Sequence, residues 1–186
     1  PPHQSSAASD VYKRQKINEL NKIDANNKLK NKINTNNIGI FSHSLGGRIA
    51  GELTARYKKI DALVAMEGIA PRDVRYEGKI NVPSLMLCSA GTLKYAAENY
   101  DIFIENRKNI VYMTELIGFG HNSLTDNPYI YPKSYKYDID AAKGLEIGRK
   151  LVTDFFYEYL KGKKGFYKKN KNNNCLLYTS DAADDW

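Results

Sequence analysis

The stretch IGIFSHSLGGRIAG, at residues 38–51, joins an apolar strand-like run, a serine between small residues and a helix start. A serine on such a turn is typical of a nucleophile elbow, in which the residues two positions before and after the serine press against backbone and must be small. Ser42 and Gly46 take these places around Ser44. A phosphate-binding loop would need a lysine that is absent here. An ordinary tight turn is the remaining alternative.

Short apolar runs alternate with longer segments of helical period, which predicts βα units and a parallel sheet. Leu45–Tyr57 predicts a helix that packs closely on a sheet. A weaker helix is predicted at Ala96–Asn106, and a strong one at Ala141–Lys161. The basic segment Lys163–Asn174 is predicted to be disordered. The predicted strands are Ile38–Phe41, Ala62–Met66, Ser84–Cys88 and Ile110–Leu116.

A serine hydroxyl is a poor nucleophile until a base removes its proton, so the elbow predicts a histidine elsewhere in the chain. His43 directly precedes Ser44, and we expect it to point away from the pocket as a buried, hydrogen-bonded core histidine. His121 follows the last predicted strand in IGFGHNSLTDN, where a base belongs in the order serine, acid, histidine. We therefore predict His121 as the base, and the backbone N–H of Leu45 at the helix start as an oxyanion donor.

The acid that orients the histidine is harder to place. In many hydrolases with such an elbow it follows the next-to-last strand, but Ser89–Leu93 contains no carboxylate. Glu67 lies one strand earlier, directly after the run Ala62–Met66, and is the predicted acid of the triad. Three other carboxylates remain open as alternatives: Asp73, Glu98 and Asp101.

The net charge of +7 arises largely from Asn/Lys-rich stretches. We interpret it as a solvated surface and not as a nucleic-acid interface. No histidine and cysteine cluster has the spacing of a metal site, so no metal and no cofactor is predicted. No apolar run approaches the ~18 residues of a membrane span. Compartment and oligomeric state are not predicted from the sequence.

The two ends of the chain have a distinct interpretation. One DNA word encodes SSAASDVYKRQ, and its reverse complement encodes CLLYTSDAAD followed by Asp or Glu, so we interpret Ser5–Gln15 and Cys175–Asp185 as translated sequencing adapter. The expected organisation is a non-native tail over residues 1–15, a partial domain over 16–164, and a disordered basic tail with an adapter-derived segment over 165–186.

With Ser44, Glu67 and His121 in this order, the chain resembles the C-terminal part of the α/β-hydrolase fold. More narrowly, HNSLTD and the closing segment KGLEIGRKLVTDFFYEYLKGK resemble the platelet-activating-factor acetylhydrolase branch and its bacterial esterase relatives. Ser42 stands where glycine is usual, and Glu67 where aspartate is commoner. The resemblance implies the C-terminal half of an α/β-hydrolase, truncated at its N-terminal side, with a parallel sheet of about four strands and flanking helices.

The same resemblance implies a function. It predicts a serine hydrolase that cleaves small or lipid-like carboxylic esters through a Ser-His-Glu triad and an acyl-enzyme. A peptidase or acyltransferase on the same fold, and a non-catalytic binding protein, remain alternatives. Because the resemblance places the second oxyanion donor upstream of Lys16, we expect the fragment itself to react weakly or not at all.

Overall fold

The structure is a computed structural model that describes residues 12, 15–24, 26, 28–57, 59–70, 80–97, 109–171 and 175–179. Its strands are β1 (Gly39–His43), β2 (Ala62–Met66), β3 (Ser84–Ser89), β4 (Val111–Leu116) and β5 (Cys175–Thr179). They form one sheet in the order β1-β2-β3-β4-β5. The first four strands are parallel, and β5 runs antiparallel to β4.

The helices lie between and after these strands. They are α1 (residues 15–23), α2 (Leu45–Arg56), α3 (Ala90–Ala97), α4 (Asn127–Ile130), α5 (Ala141–Lys161) and α6 (Phe166–Asn170). The four predicted parallel strands, α2 and α5 are confirmed, with small differences at their ends. Within the described residues, no helix is both long and apolar enough to cross a membrane.

Strands β2, β3 and β4 are buried on both faces, which explains why they appear in the sequence as continuous apolar runs. Side chains alternate between the two faces along each strand. On β2, Leu63 and Ala65 join the cluster that includes Ala50 of α2. Ala62 and Val64 join the cluster on the opposite face, which includes several side chains of α5. All four strand residues are at most 1% exposed, so α2 and α5 cover opposite faces of the sheet.

Both ends of α5 carry the signals that define a helix. The Asp140 side chain accepts a hydrogen bond from the Lys143 backbone N–H at 3.0 Å, as an N-cap residue does. Gly162 follows the last turn with φ 69°, a left-handed conformation that glycine adopts without a steric penalty. These local signals explain why the sequence predicts this helix correctly at both ends.

Helix α3 differs from its prediction. The sequence predicts a helix at Ala96–Asn106, whereas α3 begins at Ala90, directly after β3. No acidic residue of its own lies in its first turn. The backbone N–H of Ser89 instead donates to the side chain of Glu67, which comes from β2. A contact between strands is invisible to a local pattern, so the sequence predicts a helix start later than the one observed. Residues 98–106 lie outside the described part of the chain.

The segment after residue 164, for which the sequence predicts disorder, forms α6. Phe166 is 1% exposed, with ring centroids 4.9 Å from Tyr112 and 5.5 Å from Phe155. The Glu158 side chain accepts hydrogen bonds from the Gly165 and Phe166 backbone N–H groups at 2.7 and 2.6 Å. The composition of this segment indicates disorder, but one buried aromatic ring anchors it to the core.

Strand β5 lies within the segment that we interpret as adapter-derived. It pairs with β4 from Tyr112↔Thr179 to Leu116↔Cys175, so it belongs to the sheet, whereas the expected organisation ends the domain at residue 164. The adapter interpretation of both ends concerns the origin of the residues and remains a prediction. Residues 1–11 and 180–186 lie outside the described part of the chain.

Replacing Phe166 with alanine tests whether α6 belongs to the core. We expect Phe166→Ala to lower the free energy of unfolding by about 3–5 kcal/mol, because a buried aromatic ring is lost and a cavity is left. Urea denaturation followed by circular dichroism measures the change. Tyr129→Ala is the control, since Tyr129 is 69% exposed and its loss should cost within about 0.5 kcal/mol. Equal midpoints for the two variants would contradict the assignment.

Candidate active site

Ser44 lies on the turn between β1 and α2, with backbone angles φ 54° and ψ −122°. A non-glycine residue in this region is strained, and such strain persists only where surrounding contacts enforce it. The Ser44 N–H donates to the Met66 carbonyl of β2 at 2.8 Å, and the Ser44 carbonyl accepts from the Gly47 N–H at 3.0 Å. The turn is therefore held from the neighbouring strand and from its own helix.

Small residues surround this turn because there is no room for side chains. A Cβ on Gly46 would lie 3.2 Å from the Cβ of Ser42, so glycine at Gly46 accommodates the serine that replaces the usual glycine at Ser42. Gly68, directly after Glu67, is packed still more tightly. A Cβ there would overlap the Ser44 carbonyl oxygen. Gly68 therefore allows the close backbone contact that keeps Ser44 in its strained conformation. Sequence analysis did not single out this position.

His121 lies in the loop after β4 and contacts the elbow. Its Nε2 is 2.9 Å from Ser44 Oγ, a hydrogen-bond distance. The loop is shaped by two glycines: Gly118 has φ 79°, and a Cβ on Gly120 would overlap the ring of Tyr137. The structure therefore brings together the predicted nucleophile and the predicted base, 77 residues apart in the chain.

Glu67 lies behind the imidazole. It directly follows β2 with φ 53°, a second strained non-glycine residue at the site. Its side chain is 0% exposed, and Oε2 is 3.5 Å from Nδ1 of His121, whose side chain is 48% exposed. This separation is longer than a typical N–H···O hydrogen bond, and such contacts often shorten only when substrate is bound.

These residues meet because they follow strands of one parallel sheet at its carboxyl edge, where open α/β sheets bind ligands. Ser44 follows β1, Glu67 follows β2, and His121 lies in the loop after β4. Their catalytic roles remain a prediction. The alternative acids lie outside the described residues: Asp73, Glu98 and Asp101.

The buried carboxylate of Glu67 has three hydrogen-bond donors, two from Ser89 at the end of β3 and one from Thr92 in the first turn of α3. Oε1 accepts from the Ser89 backbone N–H. Oε2 accepts from the Ser89 hydroxyl at 2.8 Å and from the Thr92 hydroxyl. A buried carboxylate is tolerated only when such donors replace water. Sequence analysis missed these hydroxyls, although SAGT in place of an acid after the strand was a visible signal.

His43 differs from its prediction as a buried core histidine that points away from the pocket. It is only partly buried, and its ring centroid is 4.9 Å from that of His121. Its Nε2 lies 2.6 Å from the His121 backbone carbonyl, which requires a proton on that nitrogen. Because β1 ends at the same sheet edge as the His121 loop, His43 meets the loop instead of the core. It is hydrogen-bonded as predicted, but its partner is the His121 loop and not a residue of the core.

Leu45 is the first residue of α2. The first N–H groups of a helix have no partner within the helix, and the helix dipole makes this end positive. The Leu45 N–H next to the serine is therefore well suited to donate to a developing oxyanion. That role remains a prediction.

Among the described residues, Cys88 is not a rival nucleophile, and there is no metal site. Burial raises the pKa of the Cys88 thiol to about 12, and the nearby Glu67 charge adds to this shift. A thiol that stays protonated at neutral pH is unreactive. Among the described residues, no group of three or more His, Cys, Asp or Glu side chains could hold a metal ion.

The sheet order and the elbow define an α/β-hydrolase fold. Residues 25–121 match the family model described as "BAAT / Acyl-CoA thioester hydrolase C terminal", which is just over half of the chain. The chain therefore belongs to this family. The matched stretch contains Ser44, Glu67 and His121. The narrower resemblance to platelet-activating-factor acetylhydrolases remains a prediction.

A solved structure supports the fold. The chain is similar to the ferulic acid esterase from Streptomyces cinnamoneus, with a TM-score of 0.62 and 21% identity over 86% of this chain and 51% of that one. At this identity the likeness shows the fold alone. The chain spans about half the length of that structure. No curated protein matches the sequence significantly.

Replacing Gly68 with alanine tests whether the turn after β2 braces the elbow. The added Cβ overlaps the Ser44 carbonyl oxygen, so we expect the serine to be displaced. We expect labelling of Ser44 by a fluorophosphonate probe to slow by roughly 10²-fold, and the free energy of unfolding to fall by about 1–3 kcal/mol.

Gly91→Ala is the matched control, because nothing lies within 4 Å of a Cβ at Gly91 in α3. An alanine within a helix should increase stability by about 0.5–1 kcal/mol and leave labelling unchanged. Labelling of Gly68→Ala at the rate of this control would mean that Gly68 does not brace the elbow.

Proposed function

We propose that this chain carries the catalytic residues of a serine hydrolase that cleaves carboxylic esters through an acyl-enzyme. The observation that carries the proposal is the 2.9 Å contact between Ser44 Oγ and His121 Nε2 at a strained strand-to-helix turn. The buried Glu67 carboxylate on the other side of the imidazole supports it. The family description and the esterase fold of the similar structure are consistent with ester cleavage.

The reaction follows from this arrangement in two halves. Ser44 Oγ attacks the ester carbonyl while His121 Nε2 takes the hydroxyl proton, and the Leu45 N–H donates to the resulting oxyanion. The tetrahedral intermediate collapses, and His121 passes its proton to the departing alcohol. A water molecule then gives a proton to His121 and attacks the acyl-serine, which releases the carboxylic acid and restores the Ser44 hydroxyl.

Glu67 stabilises the charged imidazole in both halves. Its carboxylate faces Nδ1, so the proton on that nitrogen stays in place and Nε2 is left as the base. General base catalysis contributes about 10²–10⁴-fold in rate, and each oxyanion donor about 10²–10³-fold. No metal or cofactor takes part in this proposal.

Three variants test the proposal with p-nitrophenyl acetate as substrate, in a chain that includes the upstream segment expected to supply the second oxyanion donor. We expect Ser44→Ala, His121→Ala and Glu67→Gln each to lower kcat by about 10²–10⁴-fold, because each removes one part of the proton-transfer chain. Ser134→Ala is the control, since Ser134 is an exposed loop serine. Unchanged rates in both Ser44→Ala and His121→Ala would favour a non-catalytic binding protein. Full activity in Glu67→Gln would refute the acid assignment alone.

Thioesters are the second candidate substrate class, and the family description favours them. The attack on the carbonyl is the same, and only the leaving atom changes from oxygen to sulfur. We expect Ser44→Ala to lower hydrolysis of an acetyl thioester and of p-nitrophenyl acetate by the same factor. The measurement is kcat/KM for both substrates. Loss of thioester cleavage alone would assign the ester background to another group and make the chain a thioesterase.

A further inference from the structure

The end of β3 offers hydrogen-bond donors for a carboxylate, although this part of the chain has no acidic residue of its own. Ser89–Leu93 contains no acidic residue, yet three donors converge there on the Glu67 side chain, which arrives from β2. One donor is a backbone N–H and two are hydroxyls. The side chain that they hold is 0% exposed, so water does not take their place.

Helix α3 also contributes to the binding of the Glu67 carboxylate. It starts at Ala90, without a loop after β3, so its positive N-terminal end lies beside Ser89. The first turn of α3 has no acidic residue of its own. The Glu67 side chain takes the place of such a residue at the helix start, where it accepts hydrogen bonds from the Ser89 backbone N–H and the Thr92 hydroxyl.

The length of the Glu67 side chain explains why its carboxylate needs these donors. Glutamate has one more rotatable bond than aspartate, so its carboxylate has more conformational freedom to lose when it is held toward a histidine. The donors at Ser89 and Thr92 define the plane and the direction of the carboxylate. The oxygen that receives both hydroxyls, Oε2, is also the one 3.5 Å from Nδ1 of His121.

We propose that Ser89 and Thr92 are positioning residues that hold the Glu67 carboxylate against His121, so that hydroxyls at the end of β3 orient an acid supplied by β2. Neither residue has a role in bond making. This inference rests on the proposed function for its kinetic consequence, but its geometric content concerns only Glu67 and His121.

The first test measures the tautomer of His121, which does not depend on any substrate. Long-range ¹H–¹⁵N spectra distinguish a proton on Nδ1 from one on Nε2. In the parent chain we expect the Nδ1–H form, because the Glu67 carboxylate faces that nitrogen at 3.5 Å. In Thr92→Val and Ser89→Ala we expect the population to move toward Nε2–H, since the carboxylate is no longer directed at Nδ1.

The second test is kinetic. We expect Thr92→Val and Ser89→Ala to lower kcat for p-nitrophenyl acetate by up to about 10²-fold with KM unchanged, as a misplaced catalytic group does. Thr92→Ser keeps the hydroxyl and should restore both kcat and the tautomer. The double variant should fall to the rate of Glu67→Gln and no further, because the three residues act as a unit.

Matched controls come from hydroxyls elsewhere in the sheet. Ser84→Ala removes a hydroxyl at the other end of β3 that donates to the Val82 carbonyl at 2.9 Å. Thr114→Val removes one on β4 that donates to the Met86 carbonyl at 3.0 Å. Both residues are buried, so these variants show what the loss of a buried hydroxyl does to stability without a change at Glu67.

The outcomes separate the two proposals. If Ser89→Ala and Thr92→Val have the tautomer and kcat of their controls, the positioning role is overturned. A rise in kcat would overturn it as well, because the hydroxyls would then compete with His121 for Oε2. A tautomer change in a chain that hydrolyses no ester would support the positioning role and contradict the proposed function.

Discussion

At Ser44 the backbone turns with φ 54°, a conformation that costs a residue with a side chain about 1–3 kcal/mol. The site depends on this turn being enforced. The turn is fixed by β1 and α2, which adjoin it in the chain. It is also fixed by contacts with Met66 of β2 and with Gly68, which follows β2. The Ser44 hydroxyl is directed toward His121 as a consequence of this packing. The N-terminus of α2 is brought to the same point, so the same turn positions both the proposed nucleophile and the proposed oxyanion donor.

The site combines a buried carboxylate with a half-exposed imidazole. Glu67 is removed from solvent and hydrogen-bonded by the end of β3, whereas His121 is 48% exposed. A buried charge interacts strongly with its neighbours because little water screens it. The proposed base is therefore accessible from solvent, while the carboxylate proposed to orient it is shielded. This division of burial is consistent with the proton transfer at Nε2 that we propose.

Two elements outside the predicted triad connect the loop that carries the base to the rest of the fold. His43 at the end of β1 binds the His121 carbonyl, and the ring of Tyr137 fills the space beside Gly120. Both contacts act on the loop backbone, and the His43 ring also lies beside the imidazole, with ring centroids 4.9 Å apart. The distance from His121 to Ser44 is therefore set by packing on both sides of the loop.

The local sequence pattern determined the parts of this protein whose causes are local. Continuous apolar runs indicated four parallel strands, a helical period of apolar residues and a closing glycine indicated α5, and small residues around Ser44 indicated the elbow. His121 followed from the order of residues and from the absence of a better histidine. In the strands, in α5 and in the elbow, neighbouring residues in the chain carry the physical cause.

Only the tertiary structure decided the features that depend on contacts between distant residues. Helix α3 starts at Ala90 beside a carboxylate that comes from another strand, α6 is ordered by a ring buried against β4 and α5, and His43 meets the site because two strand ends share one edge. Glu67 could be nominated from the sequence, but the hydroxyls that orient it could not. Burial and cross-strand hydrogen bonds are set by the packing of the whole sheet, and no local pattern carries that information.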